Sequence, residues 1–283
     1  MDRRRLAANG RVAHSSLKGK VEAERFVDGH VCRVVHPHTT IWDRPGGRRE
    51  REVLFGHGIC VLEAHEGFSF GYSMKDGYVG YFERDALEVL KAPDTHKVKA
   101  RLTCGLAEPD IKAQGRALQL SLGSFVRVTA TSGAWAKIET QGQVWYLPAV
   151  HLQSVFEFED DPVTVAGRLL GTPYVWGGNT ALGIDCSGLV QAACLACGIP
   201  CPGDSDMQEA ELGEALEEGA PLRRGDLIFW KGHVAWVADE RTLLHANAYH
   251  MAVAYEGIDE AIARIGAQGD GAVTARKRLE GLA

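Results

Sequence analysis

One cysteine in this sequence stands where a helix is expected to begin, in the segment GIDCSG at 183–188. Asp185 is a residue type that caps helices, so the helix is predicted to start near Cys186. The unpaired N–H groups and the positive end of the helix dipole would favour the thiolate, which is the nucleophilic form of cysteine. The alternative is a buried structural cysteine, so a nucleophile here needs a partner base.

Two histidines are spaced to serve as that base and its support. His233 opens one strand-like run, and His245 lies twelve residues later in the next run, beyond the polar turn DER at 239–241. In an antiparallel hairpin centred on this turn, the two side chains fall nearly opposite each other on one face, to within a residue or two. One imidazole can take the thiol proton while the other fixes its tautomer. The pattern predicts a cysteine nucleophile with His233 as base and His245 as orienting residue.

The elements that would hold these residues make an α+β arrangement. A helix that carries the nucleophile is set against a small antiparallel sheet that carries the histidines. The predicted segments are helices at 162–170, 187–197 and 207–218, and strands at 227–230, 233–238 and 243–246.

The first half of the chain consists of short strand-like runs separated by glycine turns, and it contains a weak internal repeat. The run DGYVGY at 76–81 has a counterpart in QGQVWY at 141–146, and LFG at 54–56 has one in SLG at 121–123. A repeat of this size predicts two small β-barrels rather than a solenoid. We therefore divide the chain into an N-terminal arm, two barrels and a catalytic domain, at 1–29, 30–92, 93–155 and 156–283.

Composition is that of a globular protein, with 45% hydrophobic residues and a net charge of −6. An acidic balance disfavours nucleic acid as the main partner. No run approaches the roughly 18–20 apolar residues of a membrane span, and no apolar core of an export signal follows the basic start. These features predict a cytoplasmic protein without membrane insertion.

The seven cysteines suggest neither a disulfide framework nor a metal centre. Their number is odd, and no export signal is visible. Cys194, Cys197 and Cys201 are close in sequence, but no second pair of Cys or His ligands accompanies them, as structural zinc requires. We interpret them as small apolar residues of the helix that follows Cys186, and we expect no metal and no cofactor.

Several motifs occur together in residues 160–283 and resemble the NlpC/P60 family of papain-like peptidases. The motifs are PYVWGG at 173–178, DCSG at 185–188, GDLIFW at 225–230, GHVA at 232–235 and LHA at 244–246. The barrels, roughly residues 30–152, resemble bacterial SH3-like domains. The resemblance implies an NlpC/P60 catalytic domain after two SH3-like barrels, with Cys186, His233 and His245 as catalytic residues.

The resemblance also implies a set of substrate-binding residues. The tyrosine of the first motif, Tyr174, would lie beside the nucleophile, in a loop that also contains Trp176. The oxyanion would need N–H donors such as the backbone amide of Cys186 or Ser187. The combination of barrels and catalytic domain resembles γ-D-glutamyl-L-diamino acid endopeptidases, in which an Asp-Ser pair binds the free amine of an N-terminal L-Ala.

Asp204 and Ser205 stand at the matching place of that pair, although either could instead cap the helix that follows. In the same subgroup, a tyrosine of the first SH3-like domain lies over the substrate's N-terminus. Tyr78 is the candidate, and Tyr81 is the weaker one. An acidic partner from that domain has no assigned counterpart in this sequence.

The resemblance therefore implies hydrolysis of the γ-D-Glu–diamino acid bond in murein-derived peptides that carry a free L-Ala, as part of peptide recycling. Two alternatives stay open: a papain-like amidase or acyl transferase acting on another substrate, and a wall-peptide-binding module without catalysis. The sequence does not decide whether the diamino acid is diaminopimelate or lysine, and it leaves the oligomeric state open.

Overall fold

The structure, a computed structural model, describes residues 2–217, 219–269 and 271–279. It divides the chain into two compact units, the first ending at Phe156 and the second beginning at Glu157. Within the described residues, no helix has the length and apolar character needed to cross a membrane.

The first unit is built almost entirely of short strands. Its sheets contain β1 Val12–His14, β2 Arg25–Val27, β3 His30–Val34, β4 His38–Trp42, β5 Arg49–Leu54, β6 Gly58–His65, β7 Phe68–Ser73, β8 Val79–Glu83, β9 Leu87–Val89, β10 His96–Val98, β11 Leu102–Gly105, β12 Leu118–Ser121, β13 Phe125–Val126, β14 Val128–Ser132, β15 Trp135–Thr140, β16 Gln143–Pro148 and β17 Leu152–Ser154. Short 3₁₀ turns occupy Arg3–Arg5, Ser15–Leu17, Arg84–Ala86 and Ala149–His151.

The first predicted barrel is one antiparallel sheet of seven strands in the order β5-β4-β8-β7-β6-β3-β9. Alternation along β6 sends Ile59 and Val61 into a core that they share with Val34 and Phe82. The alternate residues Cys60 and Leu62 point to the other face, where they join a second buried cluster, so both faces of β6 are covered.

The internal repeat is visible in the strand order. The meander β6-β7-β8 of the first copy has its counterpart in β14-β15-β16 of the second. The second copy is less regular, because its strands are distributed over three small sheets: β13-β10-β17, β11-β12 and β14-β15-β16.

The two copies are joined at the turn after β5. Phe55 is fully buried in the core of the second copy, among residues such as Leu120 and Leu147. Gly56 has φ +82°, and a Cβ there would lie 2.1 Å from the carbonyl oxygen of Phe125, so only glycine fits this approach. The predicted division at residue 92 therefore falls inside a single compact unit.

The N-terminal arm packs on the first copy. Val12 is fully buried in a cluster with Phe70 and Val79. Two arm arginines, Arg11 and Arg25, bind Glu63 at 2.7 and 2.8 Å. Hydrogen bonding to Arg11 is the main cause that lowers the pKa of Glu63 to about 2, against the opposing effect of burial.

In its described residues, the second unit combines four helices with two sheets. Its elements are α1 Pro162–Gly167, β18 Asn179–Thr180, β19 Gly183–Ile184, α2 Cys186–Ala196, α3 Ser205–Glu211, β20 Glu214–Ala215, β21 Leu227–Trp230, β22 His233–Asp239, β23 Thr242–Asn247, β24 Ala252–Gly257, α4 Ile258–Gln268 and β25 Ala275–Arg278. The large sheet has the order β20-β25-β21-β22-β23-β24 and is antiparallel. This arrangement confirms the predicted α+β class.

Helix α4 covers one face of the large sheet. Its apolar residues Ile258, Ala261 and Ile265 recur at helical spacing and pack against Ala235 and Val237 of β22. Helices α1 and α2 also contact β22 and β23.

One predicted helix is too long. The segment 207–218 is helical only from Ser205 to Glu211, and Glu218 itself lies outside the described residues. The chain leaves the helix at Leu212, and Gly213 has φ +51°, close to the backbone of Arg278. The helix ends there because the next residues, β20, pair with β25.

The joint at Phe55 can be tested by truncation. Phe55→Ala should lower the free energy of unfolding by about 3–5 kcal/mol, because it removes a fully buried ring and leaves a cavity. Phe156→Ala is the matched control, since that ring is 86% exposed. Denaturant unfolding measures both variants, and equal losses would contradict a joint at Phe55.

Candidate active site

Cys186 is the first residue of α2, at the place where the sequence predicted it. Asp185 caps the helix, because its Oδ1 accepts a hydrogen bond from the Gly188 amide at 2.6 Å. Its Oδ2 accepts from the Gly177 amide at 2.8 Å, which fixes the preceding loop to the helix start. Cys186 is buried, with 5% of its surface exposed. The N-terminus of α2 favours negative charge on a thiol in this position.

The thiol lies at the beginning of β22. Its Sγ is 4.0 Å from the carbonyl oxygen of Gly232, the residue directly before His233. The structure therefore brings the predicted nucleophile next to the strand that carries the predicted base.

The two predicted histidines are in direct contact. His233 Nε2 lies 2.9 Å from His245 Nδ1. Trp236 pairs with Leu244, and a bulge follows between Val237 and Asp239. This register places His245 diagonally across from His233 on the same face rather than directly opposite, which is within the range that the sequence allowed.

A carboxylate that the sequence did not reveal extends this contact. Glu256 Oε2 lies 3.0 Å from His245 Nε2. Arg264 holds Glu256 with two hydrogen bonds of 2.7 Å, from Nε to Oε1 and from a terminal nitrogen to Oε2. The residues form a continuous row from His233 to the Arg264 guanidinium.

Glu256 gave no signal in the sequence because it stands in the strand after the hairpin, eleven residues from His245. A third strand in the predicted sheet would have revealed it. Residue 256 then falls on the same face as 243, with which it pairs, and as 245. Arg264 reaches Glu256 because α4 begins directly after β24 and turns back over the sheet.

Both imidazoles are neutral at neutral pH. Burial, followed by the charges of His245 and Arg264, lowers the pKa of His233 to about 3. Burial lowers the pKa of His245 to about 4, although the charge of Glu256 and its hydrogen bond oppose this shift. A neutral imidazole next to a thiol can accept the thiol proton, as a general base must.

Tyr174 is also placed beside the nucleophile. Its backbone forms a parallel bridge with Ile184, two residues before Cys186. Burial, and then the charges of Cys186 and Asp185, raise the pKa of Tyr174. The phenol is therefore a neutral hydroxyl that can donate a hydrogen bond.

Trp176 and Ser187 differ in what they offer a ligand. The Trp176 side chain is 54% exposed, so its ring is open to one. The Ser187 hydroxyl is buried and donates to Asp185 Oδ1 at 3.1 Å, so it supports the helix cap.

Asp204 and Ser205 lie at the start of α3. Asp204 occupies the N-cap position, but its side chain makes no capping hydrogen bond. Buried Gln208 connects this region to the nucleophile's helix, because its Nε2 donates 2.9 Å bonds to the carbonyl oxygens of Ser187 and Pro202. The Asp204 segment is thus anchored one residue from Cys186.

Tyr78, the predicted residue of the first SH3-like domain, is largely enclosed in the structure. It is 2% exposed in the core of the first unit, and its hydroxyl donates to Glu50 Oε2 at 3.1 Å. Its ring packs in the cluster that contains Val34 and Phe82, and a contact between Tyr78 and substrate stays a prediction. Tyr81 is partly exposed and packs on Phe70.

The cysteines after the nucleophile behave as apolar residues. Cys194 and Cys201 are buried. A hydrogen bond with Cys201, together with burial, raises the pKa of Cys194 well above its usual value. Protonated buried thiols of this kind pack as small hydrophobic side chains.

Among the described residues, one set of side chains has the spacing of metal ligands. His245, His250 and Glu256 place ligand atoms within 4.8 Å of one another. Both ring nitrogens of His245 already face protein partners, and Arg264 neutralises Glu256. A cation would have to displace these bonds, so we assign no metal to this set.

Comparison with protein families finds two matching regions. Residues 171–264 match the NlpC/P60 family, and residues 41–87 match the family described as the bacterial dipeptidyl-peptidase Sh3 domain. The first region contains Cys186 and the row from His233 to Arg264. The second lies within the seven-stranded sheet.

Two curated proteins are similar over much of the chain. Dipeptidyl-peptidase 6 of Lysinibacillus sphaericus is 29% identical over 233 residues, which are 74% of this chain and 84% of that protein. Gamma-D-glutamyl-L-lysine dipeptidyl-peptidase of Bacillus subtilis (strain 168) is 28% identical over 194 residues, 64% of each chain. A solved NlpC/P60 family protein from Bacillus cereus ATCC 10987 has the same fold, with TM-score 0.73 and 17% identity, over 88% of this chain and 99% of that one.

The buried histidines predict an acid-sensitive fold. Below pH 6.5 the unfolded chain binds protons that His233 and His245 cannot bind in the folded state, so the free energy of unfolding falls as pH drops. Between pH 6.5 and 5, each histidine should lower the free energy of unfolding by up to about 2 kcal/mol. Denaturant unfolding at several pH values should show a shallower pH slope for His245→Asn than for wild type, whereas equal slopes would rule out His245 as a source.

Proposed function

We propose that this chain, which joins an NlpC/P60 domain to a bacterial dipeptidyl-peptidase SH3 domain, is a cysteine endopeptidase for peptidoglycan stem peptides. Its bond would be that between γ-D-Glu and the diamino acid, in peptides with a free N-terminal L-Ala. The observation that carries the proposal is the placement of Cys186, capped at the start of α2, beside a neutral pair of hydrogen-bonded histidines.

The chemistry begins with proton transfer from Cys186 to His233. The thiolate then attacks the scissile carbonyl carbon, and the backbone amides at the start of α2 donate to the oxyanion that forms. His233 returns its proton to the departing amine as the C–N bond breaks, which leaves a thioester on Cys186. A water molecule, deprotonated by His233, then attacks the thioester carbonyl. The C–S bond breaks, the L-Ala-D-Glu dipeptide leaves with a free carboxyl group, and His233 returns the proton to the Cys186 thiolate.

Two observations support this substrate class. The two relatives described above are named dipeptidyl-peptidases, and the full name of one is gamma-D-glutamyl-L-lysine dipeptidyl-peptidase. The Asp204 segment is held next to the nucleophile's helix by Gln208. A carboxylate there suits an ammonium group, which needs a charged acceptor when it leaves water. Action on released peptides in the cytoplasm is part of the same proposal.

The nucleophile is tested with a defined tripeptide, L-Ala-γ-D-Glu linked to either diaminopimelate or lysine. Cys186→Ala should lower turnover more than about a thousandfold, because the covalent route is lost. Cys197→Ala, a partly exposed thiol of the same region, should keep wild-type turnover. Chromatography of the released dipeptide measures both, and turnover that survives Cys186→Ala would refute the mechanism.

Amine recognition is tested at Asp204. Asp204→Asn should raise KM and lower kcat/KM about 10- to 100-fold, the scale of one hydrogen bond between charged groups. N-acetylation of the substrate should impair wild type by a similar factor and the variant much less. Exposed Asp206 in the same turn supplies the control Asp206→Asn. An acetylated peptide cleaved by wild type as fast as the free one would contradict this role while leaving the nucleophile intact.

A further inference from the structure

The hydrogen bonds from His233 through His245 to Glu256 have a defined donor-to-acceptor direction. Glu256 and Arg264 determine that direction. Glu256 contacts His245, and Arg264 contacts Glu256 through two parallel hydrogen bonds. His245 is fully buried, so its ring nitrogens depend on their protein partners, which are His233 at Nδ1 and Glu256 at Nε2.

The protonation state of Glu256 determines the direction of these hydrogen bonds. Burial raises the pKa of Glu256, but the hydrogen bonds and charges of Arg264 and His245 outweigh that effect, and the pKa lies below its usual value. An ionised carboxylate only accepts hydrogen bonds. His245 Nε2 must therefore carry a proton and donate it to Glu256.

The tautomer of His245 in turn determines the tautomer of His233, the proposed base. A neutral imidazole with a proton on Nε2 has a bare Nδ1, so His245 Nδ1 accepts from His233. The proton of that bond is on His233 Nε2, and this leaves Nδ1 of the neutral His233 ring bare. In the opposite arrangement, a bare His245 Nε2 would face the carboxylate at 3.0 Å without a proton between them.

We propose that Glu256 and Arg264 are positioning residues that set the tautomers of both histidines and so leave His233 Nδ1 as the acceptor of the Cys186 proton. Glu256 fixes the direction of the row and stabilises positive charge on the imidazoles. Arg264 holds the carboxylate in place and limits that stabilisation. The inference rests on the catalytic pair of the proposed function but not on its substrate.

Several titratable groups affect the pKa values of His233, His245 and their neighbours. His245 and Arg264 lower the pKa of His233 after burial, and Glu256 raises it. His250 adds a small lowering effect at His245, after burial and Arg264. On the side of the thiol, the charges of Cys186 and Asp185 both raise the pKa of Tyr174, after burial. Glu256 is the acidic residue that acts on both histidines, so its removal shifts the local charge from balanced towards positive.

Opposite charges at the end of the row predict opposite shifts in pH dependence. Glu256→Gln removes a negative charge, which lowers every proton affinity in the row, so both limbs of the kcat/KM profile should move to lower pH. Arg264→Gln removes a positive charge, and the limbs should move to higher pH. Shifts on the order of one pH unit are expected for charges this close. Glu256→Gln should also lower kcat at least about tenfold, because an amide can donate as well as accept and no longer selects one tautomer.

The experiment measures the rate of Cys186 alkylation as a function of pH. Peptide mapping distinguishes Cys186 from the other cysteines, and the pH profile of kcat/KM is measured in parallel. Arg264→Lys keeps the charge and should keep the limbs near wild type. Glu159→Gln and Arg168→Gln break another two-bond ion pair of the same unit. The backbone amide of Glu159 donates a hydrogen bond to the carbonyl oxygen of Ala196, at the far end of α2. That end lies about 15 Å along the helix from Cys186, so neither variant should shift the limbs of the pH profile.

Shifts of opposite sign in Glu256→Gln and Arg264→Gln support the proposal. Shifts of the same sign, no shift, or equal shifts in the Glu159 and Arg168 controls overturn it. Thermal unfolding of each variant separates loss of fold from loss of reactivity. If the tripeptide is not cleaved but the alkylation profiles move as expected, the substrate proposal fails and this one stands.

Discussion

A hydrogen bond between two neutral imidazoles needs one proton between the rings, and the bond from His233 Nε2 to His245 Nδ1 imposes that condition on the whole site. Burial keeps both rings uncharged, so neither can satisfy the bond by taking a second proton. The two histidines must therefore be in matching tautomers, and something outside the pair has to choose which match is formed. The carboxylate of Glu256 is in contact with one ring and supplies that asymmetry.

The sheet makes this contact possible through its register. The bulge in β22 sets the two histidines diagonally across adjacent strands, where long side chains still meet. Strand β24 continues the same face one step further, and α4 starts without a loop, so that Arg264 returns to Glu256 within eight residues. All the proton-handling groups thus lie in one short stretch of chain, and only the nucleophile arrives from α2.

The sequence was sufficient for the parts of this site that depend on local patterns. An acidic residue before Cys186 predicted the helix start, and the hairpin predicted that His233 and His245 share a face. Glu256 escaped prediction because its role depends on a third strand and on the packing of α4, neither of which leaves a local signal. The core packing of Tyr78 could not be predicted either, because a motif does not show which way a turn residue points. The early end of α3 has the same kind of cause, since it follows from pairing with β25, more than sixty residues away.

The Asp204 segment, which we propose to bind the substrate amine, is mechanically connected to the helix that carries Cys186. The carbonyl of Ser187 lies in the first turn of α2, directly after the nucleophile, and it accepts a hydrogen bond from Gln208 of α3. The same Gln208 amide holds the carbonyl of Pro202, which precedes the Asp204 segment. A buried amide that loses one of these acceptors is costly, so α3 cannot move away from α2 without breaking them. Any ligand that draws on Asp204 therefore acts on a segment that is tied to the first turn of the helix on which Cys186 stands.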